Sequence, residues 1–236
     1  MSPPEERLAV EKLTVTLQDG TRLLNNVSFS VSAGQVVAIL GKSGAGKSTL
    51  GEVLFDMLYI RRPGARLRCQ RLEADPNRMA LVLQRGSLFD HLSVYENLCF
   101  ASRQRSGSPL TGESVGVLLK EVGLPDRDRP VAGLSGGEER RVAVARGLAT
   151  DPSFIFFDEP SAGLDLENVH RVAQLIRSAC ETHDTGAVVV THDPLLAALV
   201  ANQLLYLDRK DGSLNDLMTD WEGPVLGSDK EALSTA

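Results

Sequence analysis

Three cysteines in 236 residues, Cys69, Cys99 and Cys180, are widely spaced and odd in number. That scarcity argues against a disulfide framework, and more strongly against a metal knuckle, and it fits a reducing compartment. No apolar run approaches the ~18 to 20 uncharged residues that cross a bilayer. Met1 to Arg7, with two prolines and two glutamates, does not read as a secretory signal. Positive charge is not in excess: 25 Lys and Arg against 31 Asp and Glu leave a formal charge of −6. A broad electrostatic footprint for nucleic acid is therefore not expected. Internal repeats and low-complexity tracts are also missing, while 42% hydrophobic and 24% charged residues suit a folded globular chain. At this length about 70% of the unfolded surface can be buried, enough for one sizeable core.

What is present is patterned. Leu13, Val15 and Leu17 alternate with polar residues before a turn at Asp19-Gly20, and Val27, Phe29 and Val31 alternate again. Such strands bury one face, as in an antiparallel sheet. Val36 to Leu40, Phe154 to Phe157 and Ala187 to Val190 are apolar without alternation. Both faces of these strands are expected to be covered, as in a parallel sheet flanked by helices. Ser93 to Arg103 and Glu113 to Val122 carry helix-period apolar residues, with breaker-rich loops at Ser106 to Pro109 and Pro125 to Gly133. Residues 86–133 are predicted to form a helical insertion into a single α/β domain, with a short polar tail from Asp211.

After the first unbroken apolar strand comes Gly41-Lys42-Ser43-Gly44-Ala45-Gly46-Lys47-Ser48, then Thr49. A G-x-x-x-x-G-K-S loop between a strand and a helix (expected over Lys47 to Met57) is built to hold phosphate. Its glycines let the backbone close around an anion, and the following helix adds its positive end. Lys47 is expected to reach the β- and γ-phosphates, and the Ser48 hydroxyl a Mg²⁺ ion. The second apolar strand ends in Asp158-Glu159. Successive strand residues point to opposite sides, so the two carboxylates should divide their labour. Asp158 is the candidate metal partner and Glu159 the candidate base for a water nucleophile.

Leu134-Ser135-Gly136-Gly137-Glu138 opens a helix between these motifs. With the insertion before it, this run resembles the signature motif of ABC ATPases, usually L-S-G-G-Q. Gln84, after the strand Met79 to Leu83, is similar to the family's Q-loop glutamine; Ser161 to Asp165 is similar to its D-loop, and Thr191-His192-Asp193 to its switch histidine segment. The resemblance spans residues 8–210. It implies a P-loop NTPase of the ABC ATPase fold: a mostly parallel core sheet, an N-terminal antiparallel β-subdomain and an inserted α-helical subdomain. It implies ATP and Mg²⁺ (Ser48, Gln84, Asp158) as ligands, and two copies meeting head-to-tail around two ATP molecules. In that arrangement Ser135, Gly136, Gly137 and Glu138 contact the partner's nucleotide, and Asp165 carries the state of one site to the other. His192 contacts the γ-phosphate and Glu159, while Gln84 senses the metal and links it to the insertion. The family's adenine-stacking aromatic is missing. Val15 is expected at its position, which implies weaker base affinity and less discrimination of ATP from GTP.

The resemblance further implies an energising subunit at the cytoplasmic face of the inner membrane, working with separate transmembrane permease subunits. The stretch Arg85 to Leu98 is similar to that of ATPase subunits of MCE-type phospholipid transporters, which points to phospholipid. Import of small solutes such as amino acids, or a soluble role in iron–sulfur assembly, stay open beside it.

Overall fold

In a computed structural model the chain forms two sheets joined by a shared core. Residues 7–84, 88–106, 108–124, 126 and 128–217 are described. Arg85 to Ser87, Gly107, Pro125 and the tail beyond Leu217, all part of the sequence reading above, lie outside them.

The N-terminal sheet is antiparallel. β1 (Arg7–Thr16) pairs with β2 (Arg22–Ser32) on one side, and with β4 (Arg66–Arg68) and β5 (Arg71–Glu73) on the other. The predicted alternation appears in β2, where Val27 and Val31 are buried between half-buried or exposed neighbours. β1 stops one residue short of expectation. Leu17 belongs to the turn, its N–H donating to Thr21 O (2.8 Å) and its carbonyl accepting from Gly20 (3.1 Å).

The second sheet runs β10-β9-β3-β8-β7-β6. Its five central and edge strands β9 (Gln203–Leu207), β3 (Val36–Leu40), β8 (Gly186–Thr191), β7 (Phe154–Asp158) and β6 (Met79–Val82) are all parallel. The reason for their unbroken apolar sequences is visible in the packing. Val37 and Ile39, Phe154 and Phe156, and Val188 and Val190 face a core shared with β1, β2 and α1 (Lys47–Leu54). Val36 and Ala38, Ile155 and Phe157, and Ala187 and Val189 face the other core, built with α5 (Gly136–Leu148), α6 (Leu166–His183) and α7 (Pro194–Val200). Each strand is covered on both sides, so neither face can be polar.

α3 (Val94–Ser106) and α4 (Gly112–Glu121) supply the helical region between β6 and α5. Thr111 caps α4 by accepting from Ser114 N. The helix after the phosphate loop also differs from the sequence reading. The helix expected to run to Met57 ends at Leu54, because Asp56 adopts a left-handed φ of 55°, and the short α2 (Leu58–Arg61) follows. Within the polar tail, β10 (Leu214–Asp216) pairs antiparallel with β9 and forms the sheet edge. No helix among the described residues is long and apolar enough to cross a membrane.

Because five strands run parallel, their C-terminal ends gather at one rim. The turns leaving β3, β6, β7 and β8 there carry Gly41, Gln84, Glu159 and His192. Ligands of open α/β sheets bind outside this rim.

Candidate functional site

The rim holds a cavity of about 500 Å³ lined by the phosphate loop and α1 (Ser43, Gly44, Gly46, Lys47, Ser48, Thr49) and by Gln84, Asp158, Glu159 and His192. The loop's tightness depends on Gly46. Its φ is +103°, and a Cβ there would lie 2.5 Å from the carbonyl oxygen of Leu23 on β2. Only glycine allows that approach and that backbone conformation. Ala45 turns inward and is buried, and Gly41 is hydrogen bonded to Thr191 O (3.1 Å), tying the loop to the end of β8. Lys42 is exposed.

Lys47 is 6% exposed. Its ammonium donates to Gly41 O (2.7 Å) and Lys42 O (3.2 Å) and stands 3.1 Å from Glu159 Oε1. The other carboxylate oxygen, Oε2, accepts from His192 Nδ1 (2.8 Å), His192 N (3.1 Å) and Thr191 Oγ1 (3.2 Å). Glu159 has a left-handed φ of 51°. Strained backbone of this kind persists where the surroundings over-determine it, and here its N–H is held by Val190 O (2.9 Å). The candidate base is thus fixed at both oxygens and at its backbone.

Asp158 is the last residue of β7 and Glu159 lies just beyond it with left-handed φ, so the expected alternation of strand residues does not set this pair: Asp158 meets Ser48, while Glu159 meets Lys47 and His192. Ser48 Oγ donates to Asp158 Oδ1 at 3.4 Å. Burial pushes the Asp158 carboxyl above its ordinary value; the Ser48 hydrogen bond opposes this, and the charge of Glu159 adds to it. A half-buried carboxylate that resists its own charge, beside the Ser48 hydroxyl in a cavity that Gln84 also lines, is a hard-oxygen donor set suited to a small divalent cation. Among the described residues no group of three or more His, Cys, Asp or Glu could hold a metal, so such a cation would rely on few protein ligands.

Gln84 is presented by its backbone. Arg140 on α5 donates to Leu83 O (3.1 Å) and to Gln84 O. That arginine links the glutamine to the helix that begins with Ser135, a link that sequence spacing did not reveal.

The signature residues stand apart from this cavity, and none of them lines it. They form the N-terminus of α5. Ser135 accepts from Glu138 N (3.3 Å), and Glu138 Oε2 accepts from Ser135 N (2.8 Å), a reciprocal cap. Arg129 takes the remaining oxygen of Glu138 (2.7 Å) and also Gly133 O (2.6 Å). These contacts hold the Glu138 carboxyl below the usual range, the Ser135 backbone bond foremost. Both carboxylate oxygens of Glu138 are thus engaged within the chain, by Ser135 and by Arg129. Gly137 packs against α6, where a Cβ would lie 2.9 Å from Asn168 Oδ1. Asp165 caps α6 by accepting from Asn168 N (2.9 Å) and Asn168 Nδ2 (3.0 Å).

Val15 does not stand where a base contact was expected. It is 0% exposed, packed in the core between the sheets, and no face of it meets the cavity. Alternation along β1 turns it inward. Leu23 and Arg62 line the cavity instead. Neither belongs to any of the motifs read from the sequence.

Comparison with known proteins now adds to the geometry. The sequence profile described as "ABC transporter" matches residues 24–162. The chain is 36% identical over 204 residues to the glutamine transport ATP-binding protein GlnQ of Escherichia coli K12, covering 80% of this chain and 82% of that one. It is 32% identical to the phosphonates import ATP-binding protein PhnC 1 of Rhodopseudomonas palustris, covering 90% and 85%. Among solved structures, CbiO1 of Clostridium perfringens, part of the ABC transporter complex CbiONQ, superposes with a TM-score of 0.73 at 28% identity, covering 88% of this chain and 86% of that one. The P-loop NTPase architecture expected from the sequence is therefore the one observed.

Proposed function

The chain belongs to the ABC transporter family and is an ATPase of the kind that powers transport, and from that premise we propose that it drives the import of a small polar solute through separate membrane subunits. The observation that carries the reading is the shared carboxylate of Glu159, set between Lys47 and His192 beside a phosphate loop. The relatives named for glutamine and phosphonates favour small solutes, the alternative cargo, over phospholipid.

The residues divide the reaction among themselves. Backbone N–H groups of Gly41 to Ser48 surround the β-phosphate, and the start of α1 adds its positive end. Lys47 bears on the β- and γ-phosphates. Ser48, Asp158 and Gln84 would hold Mg²⁺, which when bound neutralises charge on the β- and γ-oxygens. Glu159 orients the attacking water and accepts its proton. His192 keeps the carboxylate aimed and presents its other ring nitrogen toward the γ-phosphate.

A second copy completes the site. Ser135 uses its oxygen lone pair for the α5 cap, so its hydroxyl hydrogen stays available to a partner's γ-phosphate. The first N–H groups of α5, at Gly136 and Gly137, point along the same axis. Two copies in closed two-fold symmetry each offer this end to the other's nucleotide. ATP then favours the closed pair because only the triphosphate reaches both halves, and hydrolysis removes that preference.

Sedimentation of the Glu159→Gln variant tests the pairing: dimers in saturating Mg-ATP and monomers without nucleotide are expected, whereas monomers under both conditions would refute it. For cargo, the chain is reconstituted with its cognate membrane subunits, and ATPase stimulation is compared between polar solutes with their binding protein and phospholipid vesicles alone. Stimulation by the vesicles alone would overturn the solute reading.

A further inference from the structure

The cavity has a part that neither phosphate binding nor hydrolysis explains. With the phosphate loop, α1 and the Gln84, Asp158, Glu159, His192 group set aside, the side chains left lining it are Leu23 and Arg62. These two are the described side chains available to a nucleoside that stays within the cavity. Among the described residues that line the cavity there is no Phe, Tyr or Trp.

Arg62 is held for such a contact. It follows α2, and its Nε donates to Glu52 Oε2 at 2.6 Å while Nη2 reaches Oε1 at 3.4 Å. Glu52 projects from α1 and is 11% exposed in its side chain; Arg62 is 32% exposed. The loop just after Arg62 is fastened to the β1–β2 turn, where Gln18 Nε2 donates to Pro63 O at 3.1 Å. Its neighbour Arg61 diverges and lines a separate cavity with Glu52 and Met57.

A guanidinium paired side-on with a carboxylate has its charge offset and its plane fixed. What it still offers is its flat face, and guanidinium faces stack on π systems. We propose that Arg62, pre-set by Glu52, is the nucleoside-contacting and base-stacking residue of this site, with Leu23 giving the apolar contact beside it. The proposal rests on the reading of the cavity as the ATP site. A stacked plane reads the face of a purine and not its edge groups, so ATP and GTP are held alike.

The test is equilibrium binding of ATP, GTP and inorganic tripolyphosphate to the intact chain and its Arg62→Ala, Arg62→Lys and Glu52→Gln variants. Arg62→Ala should weaken ATP and GTP by about five- to tenfold, the scale of a cation–π contact in a partly desolvated site. Tripolyphosphate, which has no base, should bind as to the wild type. Lysine keeps the charge but lacks the plane, so Arg62→Lys should not restore ATP binding. Glu52→Gln, which loosens the plane without removing it, should give a smaller loss in the same direction. Unchanged ATP affinity, equal loss of tripolyphosphate, rescue by lysine, or loss of one purine alone would each overturn the proposal. Failure of the underlying reading looks different: Lys47→Ala would then leave ATP and tripolyphosphate both bound as in the wild type.

Discussion

Lys47 Nζ stands 3.1 Å from Glu159 Oε1, so the cation that should grip phosphate and the carboxylate that should activate water touch each other directly. Both side chains are largely buried, at 6% and 14% exposure. A γ-phosphate entering the cavity competes with Glu159 for Lys47. Once Lys47 turns to the phosphate, Glu159 keeps its bonds to His192 and Thr191 through Oε2 and has Oε1 free for water. On the proposed reading, binding of the phosphate and arming of the base would be one event.

The Glu159→Gln variant follows directly. An amide cannot take a proton from water, and turnover should fall by on the order of 10²-fold or more, the contribution of a positioned base. The amide also withdraws the competitor for Lys47, so ATP affinity should hold or rise. Steady-state phosphate release and nucleotide titration measure the two; turnover near that of the wild type removes Glu159 from the role.

Lys47→Ala acts on the other partner. Loss of a charged hydrogen-bond donor to phosphate is worth about 1.5–3 kcal/mol, so ATP binding should weaken by about 10- to 150-fold. Fluorescent-nucleotide titration reads this, with thermal unfolding run alongside because Glu159 then loses its cation. Affinity equal to that of the wild type would be the contrary result.

The parts of this site legible in the sequence are those carried by local grammar. Gly46 and Lys47 follow an unbroken apolar strand, and Asp158 and Glu159 end another; strand, turn and helix then place them with no knowledge of the rest. Residues whose meaning depends on a distant neighbour were not legible. Arg62 and Arg140 look like surface charges until the fold sets them against Glu52 and the Gln84 carbonyl. Val15 failed for a related reason: the strand was identified, but which face of it met the cavity depended on how the two sheets stack. The edge strand β10 likewise needs β9 beside it, since its three residues carry too little pattern to be read alone.

Glu138 separates a capping role from a phosphate contact. Glu138→Gln preserves the reciprocal bond with Ser135 and loses only the Arg129 ion pair, so turnover should stay within about twofold of the wild type, since an exposed ion pair is worth about 0.2–1 kcal/mol or less. Glu138→Ala leaves the Ser135 N–H without its acceptor and should lower the melting temperature measurably more than Glu138→Gln. The pH dependence has a definite sign. The folded-state carboxyl is held below its ordinary value of 4.5, so its stabilising contribution is present above that pH and is lost as pH falls through the folded-state value. Acid unfolding of Glu138→Ala should therefore lack this component. A collapse of turnover in Glu138→Gln with unchanged stability would point to a phosphate role for the side chain.

Cys180 gives a readout of the core beneath the site. It lies on the inner face of α6, 1% exposed, and burial pushes its thiol from an ordinary value near 9.0 up to about 12. A thiol that ionises only there is a poor nucleophile at pH 8, because the thiolate is the reacting species. Iodoacetamide at pH 8 should modify the partly exposed Cys69 and Cys99 in the native chain and reach Cys180 only after unfolding. The linkage runs opposite to that of Glu138. A folded pKa raised above the unfolded one stabilises fully below pH 9.0, and the benefit fades as pH rises toward 12. Alkaline unfolding should therefore be less steep in Cys180→Ala between those limits, and peptide mapping after native alkylation checks the packing independently. Native modification of Cys180 at a rate matching Cys69 would mean that α6 does not sit against the sheet as described, and with it would go the placement of Asp165 and Asn168 at its start.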